Sequence, residues 1–285
     1  MRIARYATSS GHHVGVVDDD GLHPLRAPDL ATLLRLPLAE LRDLLAAAAA
    51  TPTVDGPVDQ LPPVDGRTEV WAAGVTYERS RTARMEESTE QSVYDRVYDA
   101  ERPELFFKSV AWRVVTTGQA IAVRSDSALS VPEPELGLVV NAFGEVIGYV
   151  AVNDMTARSI EGENPLYLPQ AKTYAGSCAI SPEIVPAWEV PDPTTLKVEL
   201  TVLRDGADAF HGETSTASLR RTEADLVAVL FRAQAFPDGA VLATGTGIVP
   251  DLDFTLRPGD TVDVTVHGIG RLSNPVVDTD TWLRS

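Results

Sequence analysis

The chain has 285 residues and a formal net charge of −17 at pH 7. This acidic balance leaves nucleic-acid binding without an electrostatic basis. The sequence lacks both an apolar N-terminal signal core and an apolar run of roughly 18 or more residues, which argues against a membrane span. Its single cysteine, Cys178, excludes an internal disulfide and agrees with a reducing compartment. We therefore expect a cytoplasmic protein that binds neither nucleic acid nor membrane.

The first 66 residues predict a small α+β domain. Apolar periodicity places strands at 2–6, 14–17 and 22–24 and helices at 29–34 and 38–50. Residues 51–66 are dense in Pro, Asp and Gly, which is typical of a junction between domains. We therefore predict an N-terminal domain at 1–66 and a larger domain at 67–285.

Residues 77–100 form a polar, charged segment with helical character, beside motifs that are otherwise apolar. If this segment closes over a site as a mobile lid, Arg79 could bind a polyhydroxy acid. The alternative is a plain charged helix with ion pairs three or four residues apart. We expect the lid, and Arg79 is a candidate substrate-binding residue.

Two glutamates stand two residues apart in the apolar run VPEPELGLVV. Side chains alternate across a strand, so Glu133 and Glu135 should leave the same face. The run turns at 141–144 and returns over 145–152, a hairpin that brings Asp154 back towards the glutamates. Solvent-facing carboxylates are the common explanation of such a pattern, but the apolar setting indicates burial, which demands a counter-charge.

Three carboxylates with open positions suit Mg²⁺, or alternatively Mn²⁺, because both ions take hard oxygen ligands. Zinc would prefer histidine or cysteine, and the five histidines all lie outside this segment. The sequence therefore predicts a site for Mg²⁺, or for Mn²⁺, formed by Glu133, Glu135 and Asp154.

Lysine is rare in this chain and occurs at 108, 172 and 197. Lysine can lose its proton in a protein whereas arginine cannot, so Lys172 is a candidate base. A salt bridge between Lys172 and Asp154 explains the residue equally well. Lys108 follows two phenylalanines on a predicted strand, and it could neutralise an anionic site or pair with Glu104.

The remaining chain is rich in predicted strands. Strand patterns lie at 196–204, 241–244 and 261–267, and a helix is predicted at 222–236, where Thr222 and Asp225 resemble a capping box. A second E-x-E, Glu161 and Glu163, falls in a Gly/Asn/Pro-rich stretch that predicts a loop with exposed carboxylates. The fold class that follows is α+β, dominated by sheet.

Six motifs in order, WAAGVTYERS, ERPELFFKS, VPEPELGLVV, GYVAVNDMTAR, IEGENPLYLPQAK and LATGTGIVP, resemble the fumarylacetoacetate hydrolase superfamily over residues 68–275. The resemblance implies a mixed β-roll of the kind found in the C-terminal domain of these proteins, and a homodimer or homotetramer. It implies metal ligation by the three carboxylates, Lys172 as base and Glu104 as its acid partner. It also implies that Thr246 in the GTG turn holds a substrate carboxylate, and Lys108 is a candidate supporting residue.

Hydrolases of the superfamily carry a histidine and a glutamate that activate water, and here Ser80 and Ala83 stand in their places. The motifs look most like those of superfamily members that dehydrate 2-keto-3-deoxy sugar acids. The resemblance therefore implies a Mg²⁺-dependent dehydratase that acts on a small 2-oxo acid. A hydrolase, decarboxylase or isomerase of the superfamily and a non-catalytic oxo-acid binding protein remain the alternatives.

Overall fold

The computed structural model describes residues 1–54, 56–87 and 96–284. Its strands in the first half of the chain are β1 (Arg2–Thr8), β2 (Gly11–Asp18), β3 (Gly21–Pro24), β4 (Asp59–Leu61), β5 (Glu69–Gly74), β6 (Glu104–Val110), β7 (Ile121–Val123), β8 (Ser130–Val131) and β9 (Pro134–Val140). The strands in the second half are β10 (Val146–Asp154), β11 (Thr156–Ala157), β12 (Cys178–Ile180), β13 (Glu183–Pro186), β14 (Lys197–Arg204), β15 (Ala207–Ser215), β16 (Ala240–Ala243), β17 (Thr261–Val266) and β18 (Gly270–Asp278).

The helices are short. They are α1 (Leu30–Leu34), α2 (Leu38–Ala48), α3 (Glu78–Glu87), α4 (Arg158–Glu163), α5 (Leu168–Lys172), α6 (Glu223–Leu230) and α7 (Thr279–Trp282), and residues 96–99 form a further helical turn. In the described part of the chain, none of them has the length and apolar character that a membrane-spanning helix requires.

Two sheets and the core between them organise the larger part of the molecule. The 11-stranded sheet runs in the order β3-β2-β1-β13-β10-β9-β16-β5-β6, with β12 and β4 paired to β10 and β1. A 5-stranded sheet runs β15-β14-β17-β18-β7. One apolar cluster joins both sheets, with Leu136 and Leu138 of β9 meeting Leu200 of β14 and Val264 of β17. The predicted α+β fold dominated by mixed sheet is confirmed.

The N-terminal segment extends the large sheet with its strands and covers the opposite face of that sheet with helices α1 and α2. Strand β1 pairs with β13 through Ile3 and Ile184, so the first strands extend the same sheet. A second apolar cluster places Leu33 of α1 and Leu41 of α2 against Val139 of β9. Residues before and after position 66 therefore share a sheet and a core, and the domain boundary stays a prediction.

Local sequence signals explain several element ends. Asp29 caps α1 by accepting a hydrogen bond of 2.8 Å from the Thr32 amide. Thr222 and Asp225 form the predicted capping box at the start of α6. Helix α6 ends at Leu230 and not at the predicted residue 236: Phe231 is its C-cap, and the Phe231 ring packs against that of Phe236 at 4.9 Å between centroids.

Candidate metal centre and active site

The three predicted carboxylates meet in the interior. Glu133, Glu135 and Asp154 each offer an oxygen, and these oxygens lie within 4.8 Å of one another. All three side chains are buried, with Glu133 the most exposed at 5%. Three hard oxygen donors in so small a volume match the coordination that Mg²⁺ or Mn²⁺ prefers. The donor set therefore fits a divalent cation.

The strand register brings these carboxylates together. Strands β9 and β10 form the predicted antiparallel hairpin, in which Val152 lies opposite Glu135. Asp154 follows at the end of β10, and its amide donates to the Glu133 carbonyl at 2.9 Å. Glu133 and Glu135 leave one face of β9 because they are two residues apart. The hairpin thus places the third carboxylate beside the first.

Lys172 is the last residue of α5, and its side chain reaches the carboxylates. Its ammonium donates to Glu133 Oε2 at 2.6 Å, to Thr156 Oγ1 at 2.7 Å and to Asp154 Oδ2 at 3.0 Å. The side chain is 1% exposed and lies over the Phe106 ring, 5.3 Å from its centroid. The predicted base and the predicted ligands are therefore in direct contact.

Lys108 lies behind this group. Its ammonium is 2.5 Å from Asp154 Oδ1 and donates to the backbone carbonyls of Met155 at 2.8 Å and Lys172 at 2.5 Å. The residue is outside the described lining of the pocket. These contacts hold the proposed ligand Asp154 and the backbone of the proposed base, and within the described residues none joins Lys108 to Glu104, its alternative partner. This arrangement fits a supporting role, and direct contact with substrate stays a prediction.

Glu104 opens β6 at the edge of the pocket. It is paired in register with Gly74, which lines the pocket. The absence of a Cβ atom at residue 74 lets the Glu104 carboxylate lie against the strand in its present position. Glu104 is half-buried and lies outside the lining of the cavity, and its role as an acid stays a prediction.

The GTG turn after β16 closes another side. Gly245 has a φ of +95°, which favours glycine, and its amide donates to Glu135 Oε2 at 2.6 Å. Thr246 lines the pocket, and its hydroxyl accepts from the Ile248 amide at 3.1 Å. The turn therefore orients one ligand and presents the predicted carboxylate-binding threonine at the pocket wall.

Arg79 lies on α3, the described part of the predicted lid. Its guanidinium donates to Asp251 Oδ1 at 2.9 Å and to the Val249 carbonyl at 3.3 Å, and the residue is outside the described lining. Residues 88–95 of the predicted lid lie outside the described residues. Ser80 and Ala83 both line the pocket, and the Ser80 hydroxyl is bound to the backbone of Tyr77.

The cavity has an acidic floor and an apolar wall. The cavity is narrow in this structure, with room for about one water molecule. Its apolar wall consists of Val75, Ala83, Phe106 and Val249. Burial, and then the charges of Asp154 and Glu133, raise the pKa of the Glu135 carboxyl well above its ordinary value. A cation is therefore favoured at this floor.

Two buried charges were missed by the sequence prediction. Arg158 is 2% exposed and lines the pocket, with Nη2 at 3.7 Å from Glu133 Oε1 and Nη1 donating to the Pro250 carbonyl at 3.0 Å. Glu161 is 1% exposed, and its Oε1 is 3.8 Å from Lys172 Nζ. The prediction of an exposed loop carboxylate at Glu161 was wrong, because α4 turns this side chain inward. The position of Arg158 four residues after Asp154 was the available signal.

Comparisons with known proteins point to one family. The model of the fumarylacetoacetate (FAA) hydrolase C-terminal family matches residues 69–277. The chain is 50% identical to the "Probable 2-keto-3-deoxyxylonate dehydratase" of Haloferax volcanii, over 75% of this chain and 73% of that protein. It is 44% identical to the 2-dehydro-3-deoxy-D-arabinonate dehydratase of Saccharolobus solfataricus, over 73% and 71%. A solved 2-keto-3-deoxy-D-arabinonate dehydratase complexed with magnesium and 2,5-dioxopentanoate aligns with a TM-score of 0.85 and 35% identity, over 98% of this chain and 99% of that one.

Proposed function

Since the chain belongs to the fumarylacetoacetate hydrolase family, we propose that it is a metal-dependent dehydratase of 2-keto-3-deoxy sugar acids. The observation that carries this proposal is the contact of Lys172 with a buried cluster of three carboxylates. Two relatives named as dehydratases of such acids support the choice of reaction. The substrate we propose is 2-keto-3-deoxy-D-arabinonate, and the product is 2-oxoglutarate semialdehyde, also called 2,5-dioxopentanoate.

Glu133, Glu135 and Asp154 would hold Mg²⁺, with Mn²⁺ as the alternative. The magnesium in the solved dehydratase complex supports the first of these ions. When bound, the cation would polarise the C2 carbonyl of the substrate and stabilise negative charge as the C3 proton leaves. The Gly245 amide holds Glu135 by a hydrogen bond, and the Lys108 ammonium holds Asp154 by an ion pair.

Lys172 is the proposed base. With a cation held by Glu133 and Asp154, Lys172 would share these two partners with it, and the positive charge of the cation together with burial would favour the neutral amine. The neutral amine removes the proton from C3 of the substrate. Its partner Thr156, at 2.7 Å, holds the nitrogen at a fixed position beside the carboxylates.

Glu104 is the proposed acid. It gives a proton to the C4 hydroxyl, the C4–O bond breaks, and water leaves while the electron pair from C3 forms the new double bond. The unsaturated 2-oxo acid that results has its double bond between C3 and C4. Loss of a C5 proton and return of a proton to C3 move the double bond to C4 and C5, and the enol so formed takes a proton at C4 to become the 2-oxo semialdehyde. Thr246 would bind the C1 carboxylate from the pocket wall. The half-buried location of Glu104 beside Gly74 supports its assignment.

The wall near α3 supports dehydration over hydrolysis. Ser80 has its hydroxyl bound to the backbone of Tyr77, and Ala83 offers no polar group. Neither residue can activate a water molecule as an acid-base pair would. This wall therefore suits a reaction in which water leaves and does not attack.

The decisive test is turnover of the purified protein on 2-keto-3-deoxy-D-arabinonate with added Mg²⁺, with the semialdehyde followed by a coupled dehydrogenase. We expect activity that EDTA abolishes and that Mg²⁺ restores. Acylpyruvates and oxaloacetate are run in parallel. Turnover of these compounds alone would replace the dehydratase by a hydrolase, decarboxylase or isomerase, and metal-dependent binding without any turnover would support a binding protein.

The assembly and location are also proposed. We infer a homodimer or homotetramer from the resemblance to the fumarylacetoacetate hydrolase superfamily. Light scattering after size-exclusion chromatography measures the mass directly, and a monomer contradicts this proposal. A cytoplasmic location agrees with the single buried thiol, Cys178.

A further inference from the structure

A buried tyrosine follows the proposed base by two residues. Tyr174 is 9% exposed, and its side chain belongs to the apolar cluster between the two sheets. Its hydroxyl is buried and has no hydrogen-bond partner among the described residues. The hydroxyl of a buried tyrosine usually has such a partner. The aromatic ring is therefore the part of Tyr174 that its polar neighbours contact.

Two cations lie over this ring. The Lys108 ammonium is 5.9 Å from the ring centroid, and the central carbon of the Arg124 guanidinium is 5.8 Å from it. The face of an aromatic ring attracts a cation within about 6 Å of its centroid. Burial is the largest cause of the raised pKa of the Tyr174 hydroxyl, so the phenol stays neutral and attracts both cations through its ring.

Both cations also bind the end of helix α5, which carries Lys172. Arg124 Nη1 donates to the Gln170 carbonyl at 3.0 Å, and Lys108 Nζ donates to the Lys172 carbonyl at 2.5 Å. The last carbonyls of a helix have no partner within the helix, and cations beside them are favourable. Because α5 has only five residues, contacts from outside the helix decide where its end lies.

The turn after α5 joins the tyrosine to the same carbonyl. The Ser177 hydroxyl accepts from the Tyr174 amide at 3.3 Å and donates to the Lys172 carbonyl at 3.0 Å. The ring, its two cations and the backbone of the proposed base therefore form one connected group. Loss of the ring should loosen the two cations and, through them, the end of the helix.

We propose that Tyr174 is a positioning residue for Lys172. Its ring holds Lys108 and Arg124 against the last carbonyls of α5, and the helix end so fixed sets the place of the Lys172 side chain. Tyr174 lies outside the lining of the cavity, so it acts through Lys172 and not on the substrate. The inference rests on the function proposed above, because it concerns the rate of the step that Lys172 performs.

The test compares wild type, Tyr174→Phe and Tyr174→Leu in steady-state turnover of 2-keto-3-deoxy-D-arabinonate at saturating Mg²⁺. For Tyr174→Leu we expect kcat to fall about tenfold or more, because a small displacement of a catalytic group is costly. KM should change less than about threefold, because no substrate contact is removed. Tyr174→Phe keeps the ring and should keep kcat within about twofold of wild type.

Tyr149→Leu is the matched control for lost stability. Tyr149 is 4% exposed and belongs to the same apolar cluster, but its hydroxyl donates to Glu223 of α6 at 3.0 Å. We expect this variant to lower Tm while kcat stays within about twofold of wild type. An equal fall in kcat for Tyr149→Leu and Tyr174→Leu would reduce the effect to lost stability and overturn the proposal.

Two further results overturn the positioning role while the dehydratase stands. One is an unchanged kcat in Tyr174→Leu, and the other is a kcat in Tyr174→Phe as low as in Tyr174→Leu, which would assign the effect to the hydroxyl. If wild type does not turn over the sugar acid, the proposed function fails and the inference fails with it.

Arg124→Gln supplies the measurement if Tyr174→Leu does not fold. It removes one cation from both the ring and the Gln170 carbonyl, and we expect kcat to fall about threefold or more at unchanged KM. Asp126→Asn is its control, since Asp126 is 63% exposed and pairs with Arg124 without binding α5. Equal kcat values for Arg124→Gln and Asp126→Asn would overturn the proposal.

Discussion

The pKa values of two buried carboxylates of this protein are shifted in opposite directions. Glu135 and Asp238 are each 2% exposed. Burial and the charges of Asp154 and Glu133 raise the pKa of the Glu135 carboxyl. The guanidinium of Arg67, with further hydrogen bonds from its amide and from Arg35, lowers the pKa of Asp238 to about 2.

The two carboxylates differ both in depth of burial and in partners: burial is the largest cause of the raised pKa of Glu135, whereas at Asp238 the hydrogen bond from Arg67 outweighs the effect of burial. Asp238 accepts from Arg67 Nη2 at 3.1 Å, from the Arg67 amide at 3.0 Å and from Arg35 Nε at 3.1 Å. It ties the N-terminal segment to the loop before β16, and its charge stabilises the fold. Glu135 has one backbone donor, Gly245, among like charges. Such an arrangement costs stability and is typical of a functional site.

The largest effect should come from Lys172→Met, which removes the ammonium group from the buried carboxylate cluster that includes Glu135. Loss of a general base is expected to lower kcat by about 10²–10⁴-fold. The coupled assay measures it at saturating substrate and Mg²⁺. Metal binding should persist, because the three carboxylates remain.

Lys197→Met is the matched control for that variant. Lys197 is the partly exposed lysine of β14, with ion pairs to Glu199 at 2.5 Å and Glu213 at 2.8 Å. We expect its kcat to equal that of wild type. Equal activity of Lys172→Met and Lys197→Met would remove Lys172 from the mechanism.

Asp238→Asn removes the carboxylate charge that binds Arg35 and Arg67. Removal of its charge should cost about 2 kcal/mol of unfolding free energy, because hydrogen bonds to a charged group are lost while both arginines can reach water. Urea unfolding at pH 7 measures the loss, and kcat should be unchanged. The Asp251→Asn variant is the control, since Asp251 is 83% exposed.

The pH dependence sharpens this second prediction. Asp238 has a folded pKa of about 2, below its unfolded value, so its stabilisation is present above the unfolded pKa and is lost as pH falls towards 2. The gap in stability between wild type and Asp238→Asn should therefore close in acid. A gap that stays constant down to the acid limit would contradict the assignment.

Glu135→Gln should have a smaller effect on stability, and of the opposite sign. Removing a like charge from the buried cluster should stabilise the metal-free protein by about 1 kcal/mol, or roughly 2–4 °C in Tm. Metal binding by calorimetry should be lost in the same variant. Because the folded pKa of Glu135 is raised, the metal-free wild type should gain stability as pH falls through that pKa towards the ordinary value of an unfolded glutamate. Lower stability of Glu135→Gln at neutral pH would refute the comparison.

The smallest effect is expected for Arg79→Gln. Its guanidinium is bound to Asp251 at the surface, and such pairs are worth about 0–1 kcal/mol. We expect KM for the sugar acid to change less than about threefold, by steady-state kinetics. A rise in KM above about tenfold would instead support substrate binding by Arg79 from the lid.

The sequence predicted elements whose signals are local. The spacing of Glu133 and Glu135, the hairpin that returns Asp154 and the capping box at Thr222 all depend on neighbouring residues, and the structure agrees with each. The family resemblance favoured Lys172 as a base over a plain salt-bridge residue, and the structure places it against those carboxylates. Strand and helix periodicity therefore sufficed for the α+β class and for the geometry of the proposed ligands.

Tertiary structure decided what long-range packing controls. Pairing of β1 with β13 joined the N-terminal segment to the main sheet, and no local pattern fixes such a pairing. Burial of Arg158 and Glu161 depends on how α4 packs against the pocket, and the placement of Lys108 behind Asp154 depends on β6. Residue types and their spacing determined which groups could do chemistry, whereas the environment set by distant segments decided their charge balance, because burial and partners act through space.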